Sequence, residues 1–150
     1  MSDKEERIRS FFKAYEQRFN DTLKDPPVVD IQGLVDCFAR FFVAAGPDGV
    51  RGGKNGLAFR WAIPHGFEFY RKIGTRSMTV TGVEIIPLGD DLHFIAKVGW
   101  DSRYTKKDGE EVRIDFANSY FVRVEDKEPK IFGYVTGDEK KVLQEHGLIS

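Results

Sequence analysis

The chain has 150 residues, of which 41% are hydrophobic and 13% aromatic, so it is long enough to bury one core and too short for two ordinary domains. Its 23 basic and 24 acidic residues leave a formal net charge of −1, which supplies no general attraction to phosphate or to acidic membranes. We therefore expect a single domain, residues 1–150, that binds neither nucleic acid nor membrane.

The N-terminus and the cysteine content bear on the compartment. The opening "MSDKEERIRSFF" has no apolar run after a basic segment, and no stretch approaches the ~20 apolar residues of a membrane span. Cys37 is the single cysteine and has no partner for a disulfide or a metal cluster, and we interpret it as structural rather than catalytic. These features predict a cytoplasmic protein.

Three helices are predicted in the first half of the chain. In the first, apolar residues recur at spacings of three and four: Ile8, Phe11, Phe12, Tyr15, Phe19 and Leu23. Pro26 and Pro27 end this helix. A second helix begins with Asp30 as its N-cap and runs to about Arg40, and a third begins with Asn55 as its cap and ends at Gly74.

The third helix has two aromatic rows. One row includes Phe59, Ile63 and Tyr70, and the other places Trp61, His65 and Phe69 at i, i+4 and i+8. Because both rows are aromatic, we expect this helix to be covered on more than one flank. His65 is then either a hydrogen-bonded core histidine or an acid–base group, since its ordinary pKa suits proton transfer near neutral pH.

The glycine-rich stretch 41–56, "FFVAAGPDGVRGGKNG", lies between two predicted elements where a phosphate-binding loop would be found. It fails that pattern at two points, because Asp48 stands at the required first glycine and Asn55 at the required Ser or Thr. A short hairpin fits better, with Pro47 at the second turn position and Gly49 closing the turn.

After Gly74 the hydrophobic period changes to two. This pattern predicts antiparallel strands over 76–88, 92–104, 111–124 and 130–136, joined by tight turns. A short last helix has Asp138 as its cap and Gly147 past its end.

The central hairpin has a definite register if Gly109 closes a three-residue turn. One face then pairs Tyr104 with Val112, Ser102 with Ile114, Trp100 with Phe116, Val98 with Asn118 and Ala96 with Tyr120. This face is nearly all apolar, so we expect the helices to cover it. A slip of one residue would exchange the two faces, so the clean separation of side chains supports the register.

The opposite face of the hairpin carries a small apolar strip formed by Ile95, Gly99, Ala117 and Phe121. Such a strip suits close packing against another sheet, and it predicts a homodimer through the outer sheet face.

Nearer the turn, the same face pairs Asp101 with Asp115. Two adjacent carboxylates can act as a catalytic acid and base. However, Arg103 and Arg113 lie diagonally beside them, and alternating charges are typical of a solvated strand.

The order of these elements resembles the nuclear transport factor 2-like superfamily. The segments "FVAAGPDGVRGG", "FYRKIGTRSM", "NSYFVRV" and "GYVTGDE", with the Trp100 hairpin, are similar to its SnoaL-like, polyketide-cyclase-related members. The resemblance implies an α+β cone: three N-terminal helices and a short hairpin packed in a curved antiparallel sheet, with a short C-terminal helix. It also implies a deep pocket at the open end and, usually, a dimer.

The resemblance has consequences for activity. Members include isomerases, dehydratases and cyclases as well as non-catalytic adaptors, and in the isomerase-like enzymes a pocket carboxylate works beside a tyrosine. Tyr15 looks like a match for that tyrosine, whereas no Asp or Glu of the central hairpin points into the pocket. Glu84 is an alternative if Gly82 bulges its strand and changes the phase.

We therefore expect a pocket that binds a small, largely apolar molecule without metal or cofactor, with Tyr15 and His65 as candidate catalytic residues for isomerase- or cyclase-type chemistry. The alternative is a non-catalytic dimeric protein-interaction module. The candidate ligand-binding residues are Trp61, Tyr70, Trp100, Asn118, Tyr120 and Tyr134. Asn118 interrupts an apolar row, and its amide needs either a ligand or water in a pocket, or a structural hydrogen bond to a helix backbone.

Overall fold

The computed structural model of the protein describes residues 3–150. The helices are α1 (Asp3–Asp21), α2 (Ile31–Val35), α3 (Leu57–Lys72) and α4 (Glu139–Glu145), and the strands are β1 (Phe38–Gly46), β2 (Gly49–Lys54), β3 (Thr75–Pro87), β4 (His93–Thr105), β5 (Glu111–Arg123) and β6 (Lys130–Val135). This order confirms the predicted α+β class with helices first, then a sheet, then a short C-terminal helix.

All six strands form one sheet in the order β2-β1-β6-β5-β4-β3. Every neighbouring pair is antiparallel except β1 and β6, which run parallel with Ala44 beside Tyr134. The sheet is therefore mixed rather than purely antiparallel. The small β1–β2 hairpin extends the sheet at one edge, whereas β3 forms the other edge.

The β4–β5 hairpin has the predicted register. Trp100 lies opposite Phe116, and Val98 opposite Asn118. Gly109 has φ +92°, the left-handed conformation that the turn requires. The predicted interior face is buried, since Val98 is 0% and Trp100 3% exposed.

β3 contains the predicted irregularity. The register shifts between Val80 and Gly82, so that one residue of β3 is left without a partner on β4. After this bulge Val83 and Ile85 pack on the core, whereas Glu84 is exposed beside Lys97. The bulge thus turns Glu84 outward, and Glu84 is not the carboxylate of an interior pocket.

The second helix is shorter than predicted. Asp30 is its N-cap and accepts a hydrogen bond from the Gly33 backbone N–H, as expected. The helix ends at Val35 because the chain joins the sheet at Phe38. Asn55 does not cap α3: its Nδ2 donates to the carbonyls of Val35 (2.8 Å) and Phe38 (3.1 Å), and ties α2 and β1 together.

α1 covers the concave face of the sheet. Ile8 and Phe12 are fully buried in the main core, with Val98 and Val122 of the hairpin beneath them. At the β3 edge, Asn20 exchanges two hydrogen bonds of 2.7 and 2.8 Å with the Met78 backbone. These bonds fix α1 across the sheet and leave its C-terminal half at the wide end of the cone.

α3 differs from the expectation that it is covered on several flanks. None of its residues is fully buried. Its inner row faces the sheet, whereas the second row is exposed, with Trp61 at 71% and Phe69 at 40%. An aromatic period of four indicates a stripe on a helix but does not show that a neighbouring element covers the stripe.

α4 covers the same interior face of the sheet near the turn end of the β4–β5 hairpin. Asp138 caps it by accepting from the Lys141 backbone N–H at 3.1 Å, as predicted. Leu143 is 2% exposed and packs against Tyr104 and Ile114 of the hairpin. This contact brings the first turn of α4 beside the wide end of the cone.

Candidate functional site

Two adjoining cavities lie at the wide end of the cone. The cone cavity, of about 330 Å³, lies between α1, α3 and the sheet and is lined mainly by rings: Tyr15, Phe19, Phe38, Phe59, Phe67, Tyr70, Tyr120 and Tyr134. The side cavity, of about 250 Å³, lies between β5 and α4 and includes Ile114, Phe116, Val142 and Glu139. Tyr70, Asn118 and Thr136 line both cavities, so the two spaces meet at these three residues.

Tyr15 extends from α1 into the cone cavity, as the resemblance implied. Its ring lies 6.3 Å from that of Trp100 and 6.4 Å from that of Tyr120, measured between centroids. Within residues 3–150 its hydroxyl has no hydrogen-bond partner. Burial, with smaller contributions from neighbouring groups, raises the pKa of Tyr15 well above its usual value, so the hydroxyl is protonated at neutral pH and can donate.

Asn118 points into the interior, as the register predicted. Its Nδ2 donates to the Tyr120 hydroxyl across 3.4 Å, which is long for a hydrogen bond. Among the described residues it makes no hydrogen bond to a helix backbone, so the structural role considered for it is not supported. Its position between the two cavities favours contact with a bound molecule.

Tyr120 and Tyr134 form the floor of the cone cavity. Their rings are 6.4 Å apart, and burial raises the pKa of both hydroxyls above the ordinary tyrosine value. The Tyr134 ring also stacks on Phe42 at 6.4 Å, which connects the cavity floor to β1. Both tyrosines therefore place a protonated, donating group in an aromatic setting.

Trp100 belongs to the hydrophobic core and does not form part of a cavity wall. It is 3% exposed and does not line either cavity, although its ring supports Tyr15. Its Nε1–H is directed near the Tyr120 hydroxyl but does not meet hydrogen-bond geometry, and so it is left without a partner among the described residues. Its effect on a ligand would act through the two tyrosines.

Tyr70 makes a close polar contact between α3 and α4. Its hydroxyl lies 2.9 and 2.8 Å from the two carboxylate oxygens of Glu139. Burial, and then the neighbouring carboxylate, raise the pKa of Tyr70, so Tyr70 is the donor in this pair. Glu139 is exposed overall, but its carboxylate is partly desolvated. This desolvation raises its pKa, and the Tyr70 hydrogen bond opposes the rise.

The sequence did not reveal Glu139 as a cavity residue. The available signal was the Asp138 cap, which places the next residue on the first turn of α4. Where that turn docks depends on the contact of Leu143 with the hairpin, a tertiary feature that local pattern does not encode.

Trp61 and His65 are not brought to the cavities. Both lie on the exposed side of α3, where their rings contact each other with centroids 4.2 Å apart. Neither residue lines the cone cavity or the side cavity. Of the predicted residues, the structure brings Tyr15, Tyr70, Asn118, Tyr120 and Tyr134 to the two cavities, together with Glu139.

The two aspartates of the hairpin form a charge lattice with their neighbours. Arg103 and Arg113 contact Asp101 at 3.1 and 3.0 Å, and Arg113 also contacts Asp115 at 3.2 Å. The hydrogen bond from Arg103 is the main cause of a lowered pKa at Asp101, which is unsuited to a general acid at neutral pH. The structure thus supports the charge-lattice interpretation, with Arg103, Arg113 and Asp115 exposed and Asp101 itself buried beside its two arginines.

Cys37 is buried and structural. Its thiol donates to the Gly33 carbonyl at 3.2 Å. Burial raises the pKa of Cys37 to about 11, with Arg18 opposing this effect, so the reactive thiolate is disfavoured.

The lining of the cavities limits the chemistry available there. None of the described lining residues is Lys, Arg or His. Across residues 3–150, no three His, Cys, Asp or Glu side chains are gathered as metal ligands, and no helix has the length and hydropathy needed to cross a membrane. The polar groups that remain are tyrosine hydroxyls, one amide, one threonine and the carboxylates at the start of α4.

A cone of helices on a curved six-stranded sheet, with a ring-lined cavity at its wide end, defines the class of NTF2-like proteins. Residues 4–139 match the family described as NTF2-like protein (DUF6841), and the chain belongs to this family. None of the curated proteins is similar enough to count as a match.

Solved structures agree on the fold. An NTF2-like protein with a cystatin-like fold from Novosphingobium aromaticivorans has a TM-score of 0.66 and 14% identity, over 97% of this chain and 88% of that one. An NTF-2 like protein of unknown function from Shewanella oneidensis MR-1 has a TM-score of 0.64 and 14% identity, over 90% of this chain and 99% of that one. A candidate polyketide cyclase from Xanthomonas campestris pv. campestris has a TM-score of 0.54 and 14% identity, over 91% of this chain and 93% of that one. Because the sequence identity to each of these proteins is 14%, the similarity concerns the fold alone.

Proposed function

We propose that this protein binds a small, largely apolar molecule in the cone cavity. The observation that carries the proposal is a ring-lined space of about 330 Å³ in which the Tyr15 hydroxyl has no partner among the described residues. Pockets for small molecules span roughly 300–1,000 Å³ and combine apolar walls with a few placed polar groups. The cone cavity lies at the small end of this range.

The polar groups favour a ligand that carries a hydrogen-bond acceptor. The pKa values of Tyr15, Tyr120 and Tyr134 are all raised by burial, so these hydroxyls stay protonated and donate. A carbonyl or ether oxygen within the cavity would accept from them, while the rings contact the apolar body of the ligand. The alternative of a pure interaction module gains less support, because aromatic side chains line the cavity without filling it.

Acid–base chemistry of the isomerase or cyclase type is a second candidate. It is favoured by the unpartnered Tyr15 hydroxyl, which could stabilise an oxyanion, and by the candidate polyketide cyclase among the structures of similar fold. None of the described residues that line the cone cavity is Asp or Glu, and the carboxylates of Asp138 and Glu139 line the adjoining side cavity instead. Binding is therefore the primary proposal.

A substitution that fills the cavity tests the primary proposal. Gly66 lines the cone cavity, and a Cβ at this position meets no heavy atom within 4 Å. Gly66→Leu should therefore fold normally and reduce the space for a ligand. Gly66→Ala is the matched control, because it gains a similar helix propensity of roughly 0.5–1 kcal/mol and leaves the cavity open.

The measurement is a search of neutral aromatic ketones and alcohols by thermal shift and native mass spectrometry on purified protein. We expect ligands that raise the melting temperature of the wild type and of Gly66→Ala, and a much smaller rise for Gly66→Leu. Equal binding by Gly66→Leu, or no ligand for the wild type, would count against the cone cavity as a binding site.

A further inference from the structure

The side cavity has one charged end and one apolar end. Ile114, Val142 and Leu143 form the apolar end, and the carboxylate of Glu139 lies at the mouth. Apart from the Tyr70 hydroxyl, no described side chain donates a hydrogen bond to this carboxylate. Glu139 is thus fixed in position at the cavity by a neutral partner.

The charge of Glu139 is not balanced by a nearby cation. Some carboxylates of the fold are paired with arginines, among them Asp101 with two arginines and Glu125 with Arg123 at 3.2 Å, whereas others are exposed to solvent without an ion pair. Glu139 has no such ion pair within residues 3–150, and no basic side chain lines the side cavity. Its raised pKa agrees with this, since a partly desolvated carboxylate without a counter-charge holds its proton more tightly.

A second carboxylate, that of Asp138, lies at the charged end of the side cavity and adds no positive charge there. Asp138 also lines the side cavity, and its side chain is occupied in capping α4 through the Lys141 backbone. The lining therefore contains two carboxylates and no compensating charge.

Aromatic rings provide a further favourable setting for a cation. Tyr70, Tyr104 and Phe116 all line the side cavity. The negative faces of such rings attract ammonium groups, most strongly where water is partly excluded. A positively charged group at the mouth would keep part of its hydration while its apolar part enters the cavity.

We propose that the natural ligand is an apolar amine whose ammonium group pairs with Glu139 at the mouth of the side cavity while its body extends toward the cone cavity. Tyr70, Asn118 and Thr136 line both spaces, so a molecule held at Glu139 lies next to the cone cavity. This inference rests on the proposed binding function and adds the charge of the ligand to it.

Two probes of similar shape show how much the positive charge of a ligand contributes to binding. 2-Phenylethylamine and 2-phenylethanol have nearly the same shape, and the amine is positively charged at pH 7. Affinities of both would be measured by calorimetry and by NMR titration for the wild type and for Glu139→Gln. The glutamine side chain can still accept from Tyr70, so the fold and the α3–α4 contact are kept.

For the wild type we expect the amine to bind about 3- to 10-fold more tightly than the alcohol, which is typical of a partly exposed charge contact. Glu139→Gln should reduce this ratio to about one by weakening amine binding, with alcohol binding unchanged. Glu145→Gln is the control: it makes the same charge change on α4 at a residue outside both cavities.

The outcomes separate the two proposals. Equal affinity of both probes for the wild type, or an amine preference that survives Glu139→Gln, would overturn the amine inference and leave the binding function standing. Failure of both probes to bind at millimolar concentration would overturn the inference and count against the binding function as well.

Discussion

Asn118 is the polar residue on which the interpretation of the cavities depends most. It lies opposite the fully buried Val98 and next in its interior row to Tyr120, and both cavities reach it. Asn118 is half-buried, and an amide shielded from water without good partners costs free energy, for which the 3.4 Å contact with Tyr120 is a weak compensation. A ligand that completes the hydrogen bonds of Asn118 would offset this cost.

Replacing Asn118 by leucine tests this explanation. If the Asn118 amide hydrogen-bonds a ligand, Asn118→Leu should keep or raise the melting temperature, because an amide without good hydrogen-bond partners is removed. The rise in melting temperature that a ligand causes should become smaller. If the amide is instead a structural strut, the same change costs roughly 1–3 kcal/mol. Thermal unfolding with and without ligand separates the two, and a strongly destabilised variant that still binds ligand would exclude Asn118 from the site.

The residues of the site were predictable to different degrees. Asn118 and Tyr120 follow from the register, because an alternating strand determines which side chains share a face. Periodicity gave only the helix face of Tyr15, and the resemblance to the superfamily implied its place in a pocket. His65 shows the limit of this reasoning, since it lies on an aromatic stripe that no other element covers. Glu139 was missed because the position of α4 depends on packing between distant parts of the chain.

The turn between α3 and β3 is tightly constrained at Gly74. Gly74 has φ +91°, and its carbonyl accepts from the Thr105 backbone N–H at 2.9 Å. A Cβ at Gly74 would lie 2.1 Å from the Thr105 carbonyl oxygen. This oxygen belongs to the backbone of β4 and cannot move away as a side chain would. The close approach fixes the end of α3, and with it Tyr70, against the hairpin.

Gly74→Ala should therefore destabilise the protein strongly, and Gly109→Ala provides a matched control. Gly109 has nearly the same φ, +92°, but a Cβ there meets no heavy atom within 4 Å. Gly109→Ala should cost about 1–2 kcal/mol from backbone strain alone, and Gly74→Ala at least ~2 kcal/mol more from the collision. Chemical denaturation of both variants gives the comparison, and equal losses would show that the close approach does not constrain the turn.

Pairing within one hairpin was predicted better than pairing between distant segments of the chain. The β4–β5 hairpin was predictable in detail because its turn and its alternating pattern specify the same register. The parallel contact of β1 with β6 was not, because it joins segments about 90 residues apart and leaves no periodic signal. α2 was predicted too long for a similar reason, since the pairing of Phe38 with Ile131 overrides its helical pattern.

The outer face of the sheet carries several exposed apolar side chains. Ile95, Gly99, Ala117 and Phe121 all lie on this face, as the register predicted. Large exposed hydrophobic residues continue it over the neighbouring strands, among them Phe41 (63%), Val43 (45%), Val135 (46%) and Ile86 (44%). Lys97 and Ser119 interrupt the strip, but apolar surface of this extent is typical of interfaces, and a sheet face can pair with a second copy of itself around a twofold axis. We therefore propose a homodimer joined sheet to sheet.

Ala117→Arg tests the dimer, because Ala117 is exposed near the centre of the strip and a twofold axis would bring two like charges together. Such a contact costs several kcal/mol in a closed interface. Light scattering at micromolar concentration should give twice the 17.1 kDa chain mass for the wild type and the single mass for the variant. Ala58→Arg is the control, since Ala58 is an exposed alanine on α3, away from the sheet, and its replacement should leave the dimer intact. A wild-type protein that is monomeric under these conditions, or an Ala117→Arg variant that remains dimeric, would rule out this face as the interface.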